Sequence, residues 1–537
     1  MDRKKQALRR PDTRTSVPKF HRSALAALLF STLVAFGALY GPWIRNAAMS
    51  PALPTAHWVS PRQAGVEPHC FDLDVEQPDI YGRQAGIDPD VQTTKYCEDL
   101  ELLHGEGLDG WSMLSCDPNR AGWNTVLGPI RNPRPRGALW MFNYAAAARV
   151  YANGTAIDRP ALLRLDGFPK EKDFHPIGAD VVPAAQRNAR GDASGPHRLF
   201  VINHAGKWST IEVFDLHAAS TASGWYAKYV QTIDHPSAAH QPNALVALGP
   251  NELLVTQDHL FPLRARPFSQ LREIYTLVYG EPAASVLASI ASIRSLSKLL
   301  MRAETILGLP TGFVTRVHLE EHTGKVTVSL FDRGIAFANG ISRSPNGKVI
   351  AVASTTMPGV LLYRRRENEA GKAHDSDWVR SDKIFTPNRA DNIAFSRSND
   401  QAGAADVFGS GSKLVVTGAI SGIKMLKFAR DPTNMSKASP SWVAAISPKR
   451  ADTPDTDDPA PLPSQKMLLR SHADYSVKTL YQGHKPTRLA EPYLGYKFVG
   501  IASAAGASLD ETVGGGSLLV AGIFSDPGVM VCYGVGL

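Results

Sequence analysis

From Cys97 onward the chain is a succession of short apolar runs, most of four to eight residues, separated by turn signals. Ala138–Phe142, Thr210–Asp215, Glu252–Thr256, Val349–Ser354, Gly422–Phe428 and Ser517–Gly522 are examples, rich in Val, Ile, Leu and aromatic residues. Short runs of this composition at close spacing predict an all-β chain. The clearest hairpin lies in Ala336–Ser354, AFANGISRSPNGKVIAVAS, where Ser344-Pro345-Asn346-Gly347 joins two apolar stretches. Proline presets the first turn angle and glycine takes a positive φ. Just before this hairpin stands Asn339-Gly340, read either as a turn cap or as an amide held at a strand mouth beside a closely approaching backbone. About 440 residues of such strands are too many for one sandwich and suit a β-propeller, four-stranded blades around a central channel. Polar residues that recur at strand starts would then converge on the channel mouth.

The charge is unevenly spread. Residues 1–22 hold eight Lys/Arg against Asp2 and Asp12, a net +6, leaving +2 of the total +8 for the remaining 515 residues. The basic balance is therefore local and implies no nucleic-acid partner. Residues 23–44, SALAALLFSTLVAFGALYGPWI, are free of charge and end in Tyr40 and Trp43. Such a stretch reaches the roughly 20 residues a membrane helix needs. With cations preceding it, the reading is a cytosolic arm (1–22), a signal-anchor (23–44) and everything beyond on the lumenal or extracellular side, a single-pass type II arrangement. A cleaved signal peptide is the rival reading. Residues 45–95, rich in Pro and Gly, read as a lumenal stalk, and residues 96–537 as the propeller.

Four cysteines suit an oxidising compartment. Cys97 and Cys116 flank a turn centred between them and would face each other across a hairpin. Cys70 and Cys532 would then tie the start of the folded domain to its last strand, with about 4–5 kcal/mol as the ceiling for closing so long a loop. No CxxC spacing points to zinc. Asn153 and Asn434 each open a glycosylation sequon. The β pattern is interrupted around 271–307, where apolar residues fall at helical spacing. This helical insertion is a lid on one rim, a membrane-surface element or a helix packed outside. Residues 451–464, ADTPDTDDPAPLPS, read as a disordered loop.

Five polar segments stand out: Cys97-Glu98-Asp99, Val201-Ile202-Asn203-His204, Gln241-Pro242-Asn243, Ala338-Asn339-Gly340 and Ala390-Asp391-Asn392-Ile393. Carboxylates and amide oxygens are hard ligands of the kind calcium takes. With EDLE at 98–101, VINH at 201–204, NALVALG at 243–249, QDHLF at 257–261, FANGISRSPNGK at 337–348, DNI at 391–393 and SGIKM at 421–425, the chain over about residues 90–535 resembles the paraoxonase/arylesterase family. The resemblance implies six blades, an uncleaved N-terminal hydrophobic segment and a first-to-last-strand disulfide. It further implies a catalytic calcium held by Glu98, Asn243, Asn339, Asp391 and Asn392, and hydrolysis of aryl esters or lactones. The metal would polarise the carbonyl, and a histidine-activated water would attack. His204 matches the supporting histidine of the family's pair.

The pattern is also broken in places. Where the family carries its principal histidine, Phe174-His175-Pro176-Ile177-Gly178-Ala179 places Ile177, and His175, two residues away, is the substitute candidate. Ala419 stands where another active-site histidine is expected. Asp99 would contribute to a second, structural calcium, but Ala244 replaces a carboxylate of that site. Two other readings therefore stand beside the esterase: a gluconolactonase-like or strictosidine-synthase-like enzyme, and a non-catalytic propeller that keeps calcium for stability and acts as a binding module.

Overall fold

The computed structural model describes residues 57–537 apart from 64, 79–90, 127, 153–158, 185–195, 321–322, 358, 368–372, 387, 399–406, 450–473, 484–488, 494–495 and 499, together with Phe30, Ser31 and Val34. The basic arm, nearly all of the 23–44 segment, Asn153 and the 451–464 loop lie outside the described residues. Among the described residues no single helix is long and apolar enough to cross a membrane.

Six sheets, each with an antiparallel core of four strands, make up the folded unit, with two short ribbons beside them. Their innermost strands are Cys97–Leu102, Pro176–Val182, Pro242–Gly249, Ala338–Arg343, Arg389–Phe395 and Ala504–Asp510, and each neighbours the next in a closed ring. This is a six-bladed β-propeller. Chain order is blade order, except that two strands from the start of the described chain join the last two blades. In the sixth blade the outermost strand is His69–Leu73, paired antiparallel to Val529–Tyr533 with Cys70 opposite Cys532. The stretch read as a stalk is thus partly propeller: Trp58–Val59 also adds an edge strand to the fifth blade. Composition hid these strands because His69–Leu73 is too short and polar to stand out, and only its C-terminal partner makes it a strand.

Both expected disulfides are present, Cys70–Cys532 across 462 residues and Cys97–Cys116 across 19. They suit a secreted or lumenal domain.

The blades read as nearly continuous apolar runs because both faces of each are covered. Each seam between neighbouring blades has its own core. Leu414 and Val416 pack with Val349, Ala351 and Leu362 of the fourth blade. Val415, between them, turns to Leu518, Val520 and Met530 of the sixth. The two-residue period of a strand thus feeds two cores in turn.

The helical insertion is borne out as Phe268–Tyr279, Glu281–Ser292 and Arg294–Leu307. It packs through Leu271, Ile274, Tyr275 and Met301 onto Leu260, Phe261 and Phe313, at the end of the third blade where the innermost strands begin. Gly422–Phe428, expected as a strand, is instead the helix Gly422–Ala429, capped by Ser421, whose hydroxyl accepts from Lys424 N. A run this short carries no periodicity that separates helix from strand, and the cap decides.

Candidate functional site

Every innermost strand begins at the same end of the channel, and each has a register shift near that start, for example between Pro242 and Leu245, Ala338 and Ile341, and Ala390 and Ile393. A bulge leaves residues out of the ladder and re-aims their side chains. The displaced residues include Glu98, Asn243, Asn339, Asp391 and Asn392, the five read as ligands from the sequence. In the second and sixth blades the corresponding residues are Ile177, Gly178 and Ala505. The neighbouring glycines have a packing reason. A Cβ on Gly340 would lie 2.5 Å from Asn392 Cα, and one on Gly178 would lie 2.7 Å from Ala244 Cα. Gly340 therefore lets the next blade's bulge approach, rather than giving room to whatever Asn339 holds.

The amide nitrogens of Asn339 and Asn392 are spent on neighbours. Asn339 Nδ2 donates to Asp391 Oδ1 at 2.6 Å and to Thr355 Oγ1 at 2.9 Å. Asn392 Nδ2 donates to Glu98 O at 3.0 Å and to Glu98 Oε1 at 3.3 Å. Thr355 Oγ1 in turn donates to Ala390 O, fixing the bulge from behind. Glu98 Oε2, Asn243 Oδ1 and Asn339 Oδ1 remain buried with no hydrogen-bond partner. Buried acceptors left unpaired are costly, roughly 1–3 kcal/mol each and more when charged. Three of them on residues of one ring fit a hard cation, which accepts lone pairs and needs no proton.

The electrostatics agree. Burial first, then the Asp99 and Asp391 carboxylates, hold the Glu98 carboxyl well above its usual range. Burial pushes Asp391 up to about 7, against the hydrogen bond from Asn339. A carboxyl whose folded value is raised stabilises the fold below its unfolded value, and that contribution is lost as pH rises through the folded one. In EGTA the protein is accordingly expected to lose stability between about pH 4 and 7, and a bound dication would offset this by stabilising the charged forms. The rise in Tm on adding calcium is expected to be larger at pH 8 than at pH 5, which differential scanning fluorimetry at both values checks.

Asp99 is not part of this ring. Its Oδ1 accepts from Leu100 N and its Oδ2 from Ala179 N. Asp99 lines a cavity of about 260 Å³ further down the channel with Glu101, Asp180 and Arg343. Asp99, the contributor to the second calcium site read from the sequence, thus has one hydrogen bond on each carboxylate oxygen, and Ala244, which lines the same cavity, brings no carboxylate to it.

Both candidate histidines are buried and fully engaged. His204 Nε2 lies 2.8 Å from Pro242 O and its Nδ1 2.5 Å from Thr125 Oγ1. Burial and then the Arg264 charge push its pKa down to about 3, so the neutral ring donates from Nε2 and accepts the threonine proton at Nδ1. His175 Nδ1 lies 2.9 Å from Asp117 Oδ2 and its Nε2 2.9 Å from Pro133 O, with the ring stacked on Trp123. Neither offers an open lone pair to a water. His175→Ala strands the Asp117 carboxylate, which has no exposed surface, and is expected to lower stability by about 3 kcal/mol, read from the urea midpoint. Ile177 packs with Phe200 and Ile202 in the core between the second and third blades, and Ala419 is buried.

Reading along the sequence passed over Asp117 and Thr125, which orient these rings, Arg120 and Arg264, whose charges act on His204, and Arg266, which neighbours Arg264. The hint was position: Asp117 and Arg120 closely follow a disulfide cysteine, and Arg264 and Arg266 follow QDHLF. Within that motif His259 is held between Asp258 Oδ1 and Thr305 Oγ1, and Glu304 accepts from Leu260 N and Phe261 N. This network pins the helical insertion to the mouth. Asn434 is exposed in a turn near the end of the helix Gly422–Ala429.

The molecule is a six-bladed propeller with a ring of carboxylate and amide oxygens at one end of its channel. No family model matches the chain, and no curated protein matches it. Solved structures similar to it include a gluconolactonase from Xanthomonas campestris, at 10% identity over 90% of this chain and 97% of that one with a TM-score of 0.35. A luciferin-regenerating enzyme is similar at 11% identity, over 88% and 97% of the two chains, with a TM-score of 0.36. A further putative gluconolactonase is similar at 10% identity and a TM-score of 0.34, over 90% and 97%. The blade count rests on the six sheets themselves.

Proposed function

We propose that the protein is a calcium-dependent hydrolase of carboxylic esters, acting on aryl esters or lactones in the manner of the paraoxonase/arylesterase family. The observation that carries this reading is the set of partnerless buried oxygens, Glu98 Oε2, Asn243 Oδ1 and Asn339 Oδ1, beside the Asp391 carboxylate. Glu98, Asn243, Asn339, Asp391 and Asn392 would hold one calcium ion, which when bound supplies Lewis acidity toward an ester carbonyl. The chain's own part is positional. Thr355 and Asp391 orient Asn339 so that its oxygen faces away from them, and Asn392 clamps Glu98 through main chain and side chain. His204 and His175 act as struts: His204 ties the 117–137 loop to the start of the third blade, and His175 braces that loop against the second. The small-molecule substrate enters from the arginine-bearing face, and the insertion shields that mouth from water.

A second reading is favoured by one observation: neither histidine has a free ring nitrogen, as a calcium-stabilised binding module would allow. Hydrolysis of phenyl acetate and of five- and six-membered lactones, with calcium and with EGTA, separates the two. Calcium-dependent turnover supports the hydrolase; calcium binding without turnover supports the module. The membrane attachment through residues 23–44, with the propeller lumenal or extracellular, belongs to the same proposal. Protease added outside sealed microsomes should spare the propeller, and its digestion would overturn that topology.

A further inference from the structure

The mouth carries more positive charge than its carboxylates can balance once the ring holds a cation. Arg120, in the loop between the second and third strands of the first blade, is 5% exposed; its Nη2 donates to Pro176 O, the first residue of the second blade's inner strand. Its charge is felt at Glu98, at Asp391 and at His204. A dication shared by Glu98 and Asp391 would neutralise the carboxylates that Arg120 now faces. Arg264 is more isolated still. At 9% exposure it donates to Ala205 O at 2.5 Å and Ser209 Oγ at 2.6 Å, and its Nε is buried without a partner. Among the described residues no carboxylate lies within ion-pair distance of either guanidinium.

What surrounds Arg264 makes it worse off, since burial and then the neighbouring Arg266 push its pKa down to about 9. Arg266 itself donates to Ala239 O at 2.5 Å and feels Asp234 and Glu273. His204, on which both the Arg264 and the Arg120 charges act, is neutral and offers no counter-charge. A buried cation without a counter-ion costs several kcal/mol, and a fold keeps one where a ligand supplies the missing charge. Guanidinium suits carboxylate in particular, through paired N–H donors.

We propose that Arg264, with Arg120, forms an anion subsite beside the oxygen ring, and that the substrate is an ester bearing a free carboxylate apart from its reacting carbonyl. The substrate half of this rests on the hydrolase reading; the anion subsite does not. Arg264 would anchor the carboxylate, and Arg120, nearer the ring, would set the distance between that anchor and the ester.

The test compares 4-acetoxybenzoate with phenyl acetate, which release the same acetyl group and differ by one carboxylate. With the full chain and calcium, kcat/KM is expected to favour 4-acetoxybenzoate by roughly 10- to 100-fold, the range of one charge-assisted hydrogen bond to a buried group. Arg264→Gln is expected to collapse that ratio and Arg264→Lys to retain part of it. In parallel, 4-hydroxybenzoate, which has no ester, is expected to raise Tm in the parent and Arg264→Lys, and not in Arg264→Gln. Turnover of both esters without preference and without a Tm rise overturns the anion subsite and leaves the hydrolase standing. A Tm rise lost in Arg264→Gln, with neither ester hydrolysed, keeps the subsite and overturns the hydrolase. Inorganic phosphate raising Tm where 4-hydroxybenzoate does not overturns the carboxylate assignment. Neither turnover nor any Tm rise overturns both.

Discussion

Asp391→Ala is expected to abolish calcium-dependent hydrolysis and to weaken calcium binding by at least about 100-fold, the upper range for disturbing a metal site's supporting groups. The substitution removes one of the two carboxylates of the ring and one acceptor of the Asn339 amide, which keeps Thr355 as the other. Loss of activity alone would not separate a metal role from simple damage to the fold. The sign of the stability change does. In EGTA, the parent carries the Glu98 and Asp391 carboxyls buried together, each raised by burial. Removing one relieves repulsion on the other, so Asp391→Ala in EGTA should be as stable as the parent or more so at pH 8. In calcium the order should reverse. Isothermal titration with calcium and thermal melts in both buffers measure this. A variant that is equally unstable in both would mean that Asp391 holds the bulge together and does not serve a cation.

Loss of the Cys70–Cys532 bond is expected to have the largest effect on stability of any change far from the mouth. The bond joins the ends of a 462-residue separation where the strand His69–Leu73 closes the ring onto the C-terminal blade. Replacing both cysteines by alanine should cost about 3–5 kcal/mol, with most of it from the enlarged unfolded ensemble. Cys97–Cys116 spans 19 residues within one hairpin and should cost less, about 3 kcal/mol. Denaturant melts of the two double variants give the comparison directly. Equal losses would mean that the hydrogen-bonded ladder between His69–Leu73 and Val529–Tyr533 already closes the propeller by itself.

Much of this architecture can be read along the chain, for identifiable reasons. Ser344-Pro345-Asn346-Gly347 states its own turn, and in the fold Gly347 takes φ 68°. Cys97 and Cys116 pair because a hairpin places residues equidistant from its turn opposite one another. The helical insertion is long enough for its 3.6-residue period to show. The short helix Gly422–Ala429 is not, and the strand His69–Leu73 acquires its identity from a partner more than 450 residues away.

For the mouth, the sequence by itself determined which residues are polar, that they stand at strand starts, and that their donors are hard oxygens. It could not determine which of those oxygens stay unpaired. Asn392 reaches Glu98 across 294 residues, and Asn339 reaches Asp391 across 52. Those contacts exist only when six bulged strands meet around one channel, and they consume the amide nitrogens of Asn339 and Asn392 while leaving Glu98 Oε2 and Asn339 Oδ1 without partners. The histidines show the opposite case. Their residue type suggests proton transfer, but Asp117, Thr125 and Pro133 from one loop of the first blade and Pro242 at the start of the third blade's inner strand occupy every ring nitrogen. Whether a polar atom is available for chemistry depends on what the rest of the fold has already bonded to it, and that is set by tertiary distances rather than by position along the chain.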